Sequence, residues 1–291
     1  MDPACDSEPA SSARELTVAT AAARAAADLV SAAYGRDGAV SWKAGDDPVT
    51  EADRRANSLI CERLRAEFPL DAICAEESAE EDAARAASRG GRCWFVDPLD
   101  GTREFIRKSG EFCVMVGLSV AGRPVLGVVV APAWGRTFIG AVGHGAYELT
   151  AAGERRPLRL RELAQPAARR VVLSRLHRNA QVDRAAAALG IEEVRQCGST
   201  GLKFLLVAMG EVDLYLHTGP GPKLWDGCAP EAIARAAGAQ VTDAAGQALR
   251  YDTAHLPLDR GIIVGAPALA TLAVGALKSQ DDPADETGSG V

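Results

Sequence analysis

The sequence predicts an α/β protein of α+β type, in which helices and an antiparallel meander form a first half and a smaller α/β half follows. Three observations predict it. Apolar residues recur at three and four over 13–34 and again over 52–64, the spacing of one helical face. Three β-rich runs over 112–141 are divided by the turn sequences Ala121-Gly122-Arg123-Pro124 and Pro132-Ala133-Trp134-Gly135. Beyond residue 169, short apolar strands alternate with helical segments. The expected division is 13–165 for the first half and 166–277 for the second. Residues 1–12 and 278–291 are polar, small and without hydrophobic period, which predicts flexible tails.

Each element has a local reason. The first helix carries Leu16, Ala19, Ala23, Ala26, Val30 and Ala33 on one face. The second takes Thr50 as its N-cap, puts Ala52, Ala56, Leu59, Ile60 and Leu64 inside, and ends near Pro69. Strands follow at 72–75, running into Glu76-Glu77, and at 93–96, running into Asp97-Pro98-Leu99-Asp100-Gly101-Thr102. The meander strands are 112–120, 125–131 and 136–141, and a polar connection spans 153–169. The second half reads as strand 170–174, helices 180–189 and 201–209, strand 212–217, helix 230–237, strand 261–264 and helix 269–277.

Composition excludes several classes of function. The chain of 291 residues is 47% hydrophobic and 24% charged, the balance of a folded protein with one large or two moderate cores. No apolar run approaches the ~18 residues of a bilayer span. The start, MDPACDSEP, has no basic segment leading into an apolar stretch, so the expected compartment is the cytoplasm. The seven cysteines form no C-x-x-C pair and read as buried reduced thiols. A net charge of −7 without a Lys/Arg cluster argues against nucleic acid as a partner. A small phosphorylated ligand fits that balance if something local neutralises it.

The segment Asp97 to Thr102 supplies such a device. Two acids three residues apart at a strand end offer hard oxygen ligands to Mg²⁺, and the backbone N–H groups of Gly101 and Thr102 suit phosphate oxygens. Glu76-Glu77 and Trp225-Asp226 bring carboxylates to the ends of other elements. Four acids suggest two cations, able to activate water on one side of phosphorus and stabilise the leaving oxygen on the other. Asp53, three residues after Thr50, reads by itself as a first-turn acid favoured by the helix dipole. D-P-L-D-G-T is one residue longer than the D-x-D-G-T of phosphoaspartyl-forming hydrolases, which excludes a covalent aspartate. The segment Cys197 to Lys203 places Lys where a cysteine phosphatase needs the planar fork of Arg. The four histidines show no metal-ligand spacing.

Together P-V-T-E-A-D ending at Asp53, A-E-E-S ending at Ser78, D-P-L-D-G-T and W-D-G-C-A-P ending at Pro230 resemble the lithium-sensitive, Mg²⁺-dependent phosphatases of the inositol monophosphatase superfamily. Order and spacing agree over about residues 14–277. Arg103-Glu104-Phe105-Ile106 with Gly110-Glu111-Phe112, Ser174-Arg175-Leu176-His177, and Ser199 through Phe204 look like the 3′(2′),5′-bisphosphate nucleotidase branch, where Leu176 stands at a position often filled by a hydroxyl.

The resemblance implies a layered αβαβα sandwich. It implies that Glu76, Asp97 and the Leu99 carbonyl hold one Mg²⁺, that Asp97, Asp100 and Asp226 hold a second, and that a weaker third lies near Glu76 and Glu77. Asp53 and Thr102 are then the catalytic pair that orients and deprotonates water. Glu76, Gly101, Thr102, His177, Thr200, Lys203 and Asp226 are the expected substrate contacts. The expected reaction is hydrolysis of the 3′-phosphate of adenosine 3′,5′-bisphosphate in sulfur assimilation, inhibited by lithium, by a monomer or homodimer without nucleic-acid or membrane partners. The alternatives are an inositol or sugar phosphatase and a non-catalytic nucleotide or metal sensor.

Overall fold

A computed structural model describes residues 9–35, 40–43, 47–162, 169–175 and 179–279. The first elements are α1 (Pro9–Ala33), β1 (Val40–Lys43), β2 (Asp47–Thr50), α2 (Glu51–Glu67), β3 (Ala72–Ala75), α3 (Glu80–Ser88), β4 (Arg92–Asp100) and α4 (Thr102–Ile106). The strands β5 (Cys113–Val120), β6 (Arg123–Ala131), β7 (Arg136–Ala141), β8 (Gly145–Leu149) and β9 (Arg155–Pro157) continue the chain. They are followed by β10 (Arg169–Ser174), α5 (Ala180–Ala188), β11 (Ile191–Cys197), α6 (Thr200–Ala208), β12 (Leu214–His217) and α7 (Leu224–Ala236). Last come β13 (Gln240–Thr242), β14 (Ile262–Gly265) and α8 (Pro267–Lys278).

The two large sheets have the orders β3-β4-β5-β6-β7-β8-β9 and β11-β10-β12-β14-β13. In the first, β3 and β4 are parallel and every later pair is antiparallel. In the second, β10 runs parallel to β11 and β12, while β14 is antiparallel to both β12 and β13.

Alternation along the strands builds the layers, because successive side chains face opposite sides of a sheet. Trp94, Val96, Val114, Val116 and Val128 enter a core shared with Ala19, Ala23, Ala26 and Val30 of α1 and Ile60 and Leu64 of α2. Phe95, Met115 and Val129 face the other way, onto Leu202 and Leu206 of α6 and Ala229 and Ile233 of α7. Val172 and Tyr215 of the second sheet close that middle core from the far side. Val171, Leu173, Leu214 and Leu216 point outward onto Val182 and Ala185 of α5 and Leu269 and Ala273 of α8. The order is therefore helix, sheet, helix, sheet, helix, the expected sandwich.

The structure corrects several sequence expectations. α1 starts at Pro9, inside the expected tail, and it is long and apolar enough from Ala13 to Ala33 to meet the length and composition of a bilayer span. Arg14, Glu15, Arg24 and Asp28 interrupt its apolar residues in sequence, and its alanine face is packed on the first sheet. α3 is absent from the sequence expectation: Glu80, Glu81 and Asp82 form its first turn, where the helix dipole favours them, and Ala83 and Ala87 are buried. β8 and β9 extend the meander into the expected connection, and β11 is an edge strand exposed along most of its length, without apolar alternation to betray it.

The most consequential correction concerns α7. It begins at Leu224, not at Pro230, and Pro230 lies inside it. Proline normally starts a helix, and within one it lacks the amide that would bond the carbonyl four residues back, here that of Asp226. Close packing offsets that lost bond. Gly117, Gly127 and Gly140 are register partners across β5, β6 and β7, and together they leave a groove for the helix backbone. A Cβ at Gly117 would lie 2.6 Å from the Ala229 amide nitrogen, one at Gly127 2.0 Å from the Ala229 carbonyl oxygen, and one at Gly140 2.8 Å from Ile233 Cα. The helix seated in this groove delivers Asp226.

Candidate active site

The end of β4 and the first turn of α7 converge. The pairing of β4 with β5 shifts register between Asp97 and Asp100, and the Leu99 amide donates to Asp97 Oδ1 at 2.9 Å. Gly101 then turns the chain at φ +89°, where a Cβ would meet the Glu111 carbonyl at 2.6 Å, so another residue would be both strained and crowded. From α7, Asp226 Oδ2 accepts the Lys223 amide at 2.7 Å. The result is that carboxylate oxygens of Asp97, Asp100 and Asp226 lie within 4.8 Å of one another, able to hold a metal ion.

Their electrostatics call for a cation. Burial pushes Asp97 well above the ordinary carboxylate range, and the charges of Glu76, Asp100 and Asp226 push it further. Asp226 is raised by burial and then by Asp100. Such crowding of acids in a low dielectric is relieved by protonation or by a bound cation. The all-carboxylate set matches a hard divalent ion rather than a thiolate- or imidazole-seeking one.

Asp100 has a second task. Its Oδ2 accepts from Ser199 Oγ at 2.5 Å and from the Gly201 amide at 2.7 Å, and its Oδ1 accepts the Thr200 amide at 3.2 Å. The acid thus holds the N-terminus of α6 against the end of β4. Ser199 also caps α6 through the Leu202 amide at 3.1 Å.

Asp53 sits at the third position of α2 in a capping box with Thr50, whose amide donates to Asp53 Oδ2 at 2.8 Å and whose hydroxyl donates to the same oxygen. The other oxygen, Oδ1, faces the Thr102 hydroxyl at 3.2 Å, and that hydroxyl also lies 3.0 Å from the Leu99 carbonyl. Burial raises Asp53 to about 6, against the hydrogen bonds from Thr50 that lower it. The helix-cap reading of Asp53 is therefore correct as local structure, and the same carboxylate adjoins Thr102.

A cleft of about 610 Å³ gathers the rest. Of the residues expected at the site, Glu76, Asp97, Leu99, Asp100, Gly101, Thr102, Thr200, Lys203 and Asp226 all line it. Asp53 lies behind Thr102, and His177 lies outside the described residues. Lys203 is 1% exposed; its Nζ donates to the Cys197 and Gly198 carbonyls at 3.4 and 3.3 Å and stands 5.4 Å from the centre of the Tyr215 ring. Burial lowers its pKa. Sequence reasoning missed Glu104, Tyr215 and His217 in the cleft wall. β10 pairs in parallel with β12, Val172 opposite Tyr215, and Ser174, Tyr215 and His217 of these strands all line the cleft; no local motif marks that long-range pairing.

Comparison with known proteins identifies relatives of the chain along most of its length. The sequence profile of the inositol monophosphatase family matches residues 12–281. The 3′(2′),5′-bisphosphate nucleotidase CysQ of Escherichia coli O157:H7 is 38% identical over 246 residues, 83% of this chain and 96% of that one. Among solved structures, CysQ from Bacteroides thetaiotaomicron, described as a bacterial member of the inositol monophosphatase family, superposes with a TM-score of 0.74 at 29% identity, covering 87% of this chain and 97% of that one. The extragenic suppressor protein SuhB from Bartonella henselae gives a TM-score of 0.76 at 25% identity over 91% of this chain and 98% of its own. With fold, motif order and sequence matching over nearly its whole length, the chain belongs to the inositol monophosphatase family.

Proposed function

We propose that this chain is a Mg²⁺-dependent phosphatase that removes the 3′-phosphate of adenosine 3′,5′-bisphosphate, yielding AMP and phosphate, and serves sulfur assimilation. The observation that carries the reading is that one cleft holds the acids Asp97, Asp100 and Asp226 together with a buried lysine, Lys203. A substrate with two phosphates needs both: one is hydrolysed at the acids, and the other meets the ammonium as a point charge. The name of the E. coli relative, a 3′(2′),5′-bisphosphate nucleotidase, supports a bisphosphorylated nucleotide as the substrate.

Glu76, Asp97, the Leu99 carbonyl, Asp100 and Asp226 would hold two Mg²⁺ ions, with a weaker third near Glu76 and Glu77. Bound there, the cations neutralise the phosphate and lower the pKa of water. The chain's own residues do the rest. The Thr102 hydroxyl donates to Asp53 Oδ1 across 3.2 Å, which leaves its oxygen lone pairs to orient the attacking water and accept its proton. Asp53, near 6 and fixed by Thr50, is ionised at neutral pH and takes up the proton that Thr102 passes on. Water oxygen bonds to phosphorus as the bond to the 3′ oxygen breaks on the opposite side, and that oxygen takes a proton from solvent. No phosphoenzyme forms. Gly101, Thr200, Lys203 and His177 would hold the remainder of the nucleotide.

The test is phosphate release by purified protein in Mg²⁺, with and without millimolar Li⁺, from adenosine 3′,5′-bisphosphate, inositol 1-phosphate and fructose 1,6-bisphosphate. Preference for the nucleotide, suppressed by Li⁺, is the expected result. Preference for inositol phosphate overturns the substrate assignment and keeps the metal chemistry, while no release from any of them leaves a non-catalytic sensor.

A further inference from the structure

Glu104, in α4, is a buried carboxylate in the cleft wall that the phosphatase chemistry does not use. It is 2% exposed, and neither of its side-chain oxygens has a hydrogen-bond partner among the described residues. Two guanidinium groups stand nearby, Arg175 Nε at 3.5 Å and Arg107 Nη1 at 3.7 Å. Arg175 gives its hydrogen bonds to Glu111 instead, with Nη2 at 2.8 Å from both carboxylate oxygens. A buried carboxylate left with acceptor capacity is costly, so such a group in a ligand cleft points to a donor that arrives with the ligand.

The surroundings narrow what that donor is. Opposite Glu104 lies Gly198, where a Cβ would come within 2.2 Å of Glu104 Cγ and Oε1, so only bare backbone fits against the carboxylate. Gly198 belongs to the loop that leads into α6, whose carbonyl holds Lys203 Nζ at 3.3 Å. Glu104 thus adjoins the part of the cleft that the nucleotidase reading gives to the nucleotide rather than to the hydrolysed phosphate. A carboxylate side chain offers acceptor oxygens and is a poor partner for phosphate, which leaves the uncharged donors of a nucleoside.

We propose that Glu104 is a specificity-determining residue that accepts a hydrogen bond from a nucleoside N–H or O–H, either the 6-amino group of adenine or the ribose 2′-hydroxyl. The proposal rests on the nucleotidase reading and extends it to the recognition of the nucleoside.

The experiment compares kcat/KM for adenosine, inosine and 2′-deoxyadenosine 3′,5′-bisphosphates in the wild-type enzyme and in Glu104→Gln. The wild type should prefer adenosine over one analogue by about 10-fold or more, because a site built to bond a donor strongly rejects its absence. Glu104→Gln should collapse that ratio; if the 6-amino group is the donor, the new amide N–H₂ meets the 6-oxo group of inosine and favours it. A collapse confined to the deoxy comparison assigns the 2′-hydroxyl. Unchanged ratios in a variant that melts cooperatively overturn the proposal and leave Glu104 as a structural neighbour of Arg175. Wild-type ratios near one against both analogues overturn it without any variant. A wild type that hydrolyses no nucleotide at all overturns the nucleotidase reading and this proposal with it.

Discussion

Replacing Glu231 by Gln tests the electrostatics of the helix that carries Asp226. Glu231 is 1% exposed on α7; the Tyr251 hydroxyl donates to its Oε2 at 2.7 Å, and Arg235 Nη1 lies 3.5 Å from Oε1. Burial outweighs both partners and raises its pKa from 4.5 to about 7. A carboxyl raised on folding contributes stability that is fully present below its unfolded pKa and is lost as pH rises through the folded one. The difference between 4.5 and about 7 corresponds to a loss of about 3 kcal/mol by pH 8. Less than about 1 kcal/mol of it is gone at pH 5. Gln keeps the shape and an acceptor for Tyr251 but cannot ionise. Urea unfolding in a chelator, at pH 5 and pH 8, should therefore show Glu231→Gln gaining about 2 kcal/mol relative to wild type between the two pH values. The other raised acids are common to both proteins and cancel in the comparison. An equal stability difference at both pH values would refute the reasoning, since it would mean that Arg235 keeps the carboxylate ionised in the folded state throughout.

Three further outcomes are expected. The metal-free protein should melt at lower temperature as pH rises from 5 to 8, because Asp53, raised to about 6, and the raised Asp97 and Asp226 must ionise in place; Mg²⁺ should restore more at pH 8 than at pH 5, as read by differential scanning fluorimetry. Thr102→Val keeps the side-chain volume and removes the hydroxyl that faces Asp53, so kcat should fall about 10²- to 10⁴-fold in steady-state kinetics with melting temperature held. Gly127→Ala forces a Cβ to within 2.0 Å of the Ala229 carbonyl oxygen; urea unfolding should show a loss of about 1–3 kcal/mol or more, and calorimetry should show weaker Mg²⁺ binding as α7 and Asp226 shift.

What was legible in the sequence was what is encoded locally. Asp97 to Thr102 announces a strand that ends in a turn beside two acids, and Gly101 makes that turn; Pro98 does not stop the strand but lies inside β4, where the pairing with β5 shifts register between Asp97 and Asp100. Thr50 and Asp53 form their capping box within four residues, so its geometry followed from spacing alone. The start of α7 was not legible in the same way. Pro230 carries the usual signature of a first helical residue, and what overrides it is the glycine groove of Gly117, Gly127 and Gly140, about 90 to 110 residues earlier in the chain. β11 was invisible for another reason: an exposed edge strand has no buried face, and burial is what writes alternation into a sequence.

The same distinction explains how the two walls of the site are joined. Asp100 reads in sequence as one of a pair of acids at a turn, and nothing near it says that it also receives Ser199, Thr200 and Gly201 from a segment a hundred residues away. That contact makes the end of β4 and the N-terminus of α6 one unit, and Thr200 and Lys203 ride on α6. The acids that suit a cation and the lysine that suits a second phosphate therefore stand at a distance fixed by a hydrogen-bonded carboxylate rather than by a flexible loop. On the proposed function, a cleft built that way would gauge the separation between the two phosphates of its ligand, and Glu104, against Gly198 on the same α6 loop, would contact the nucleoside that carries them.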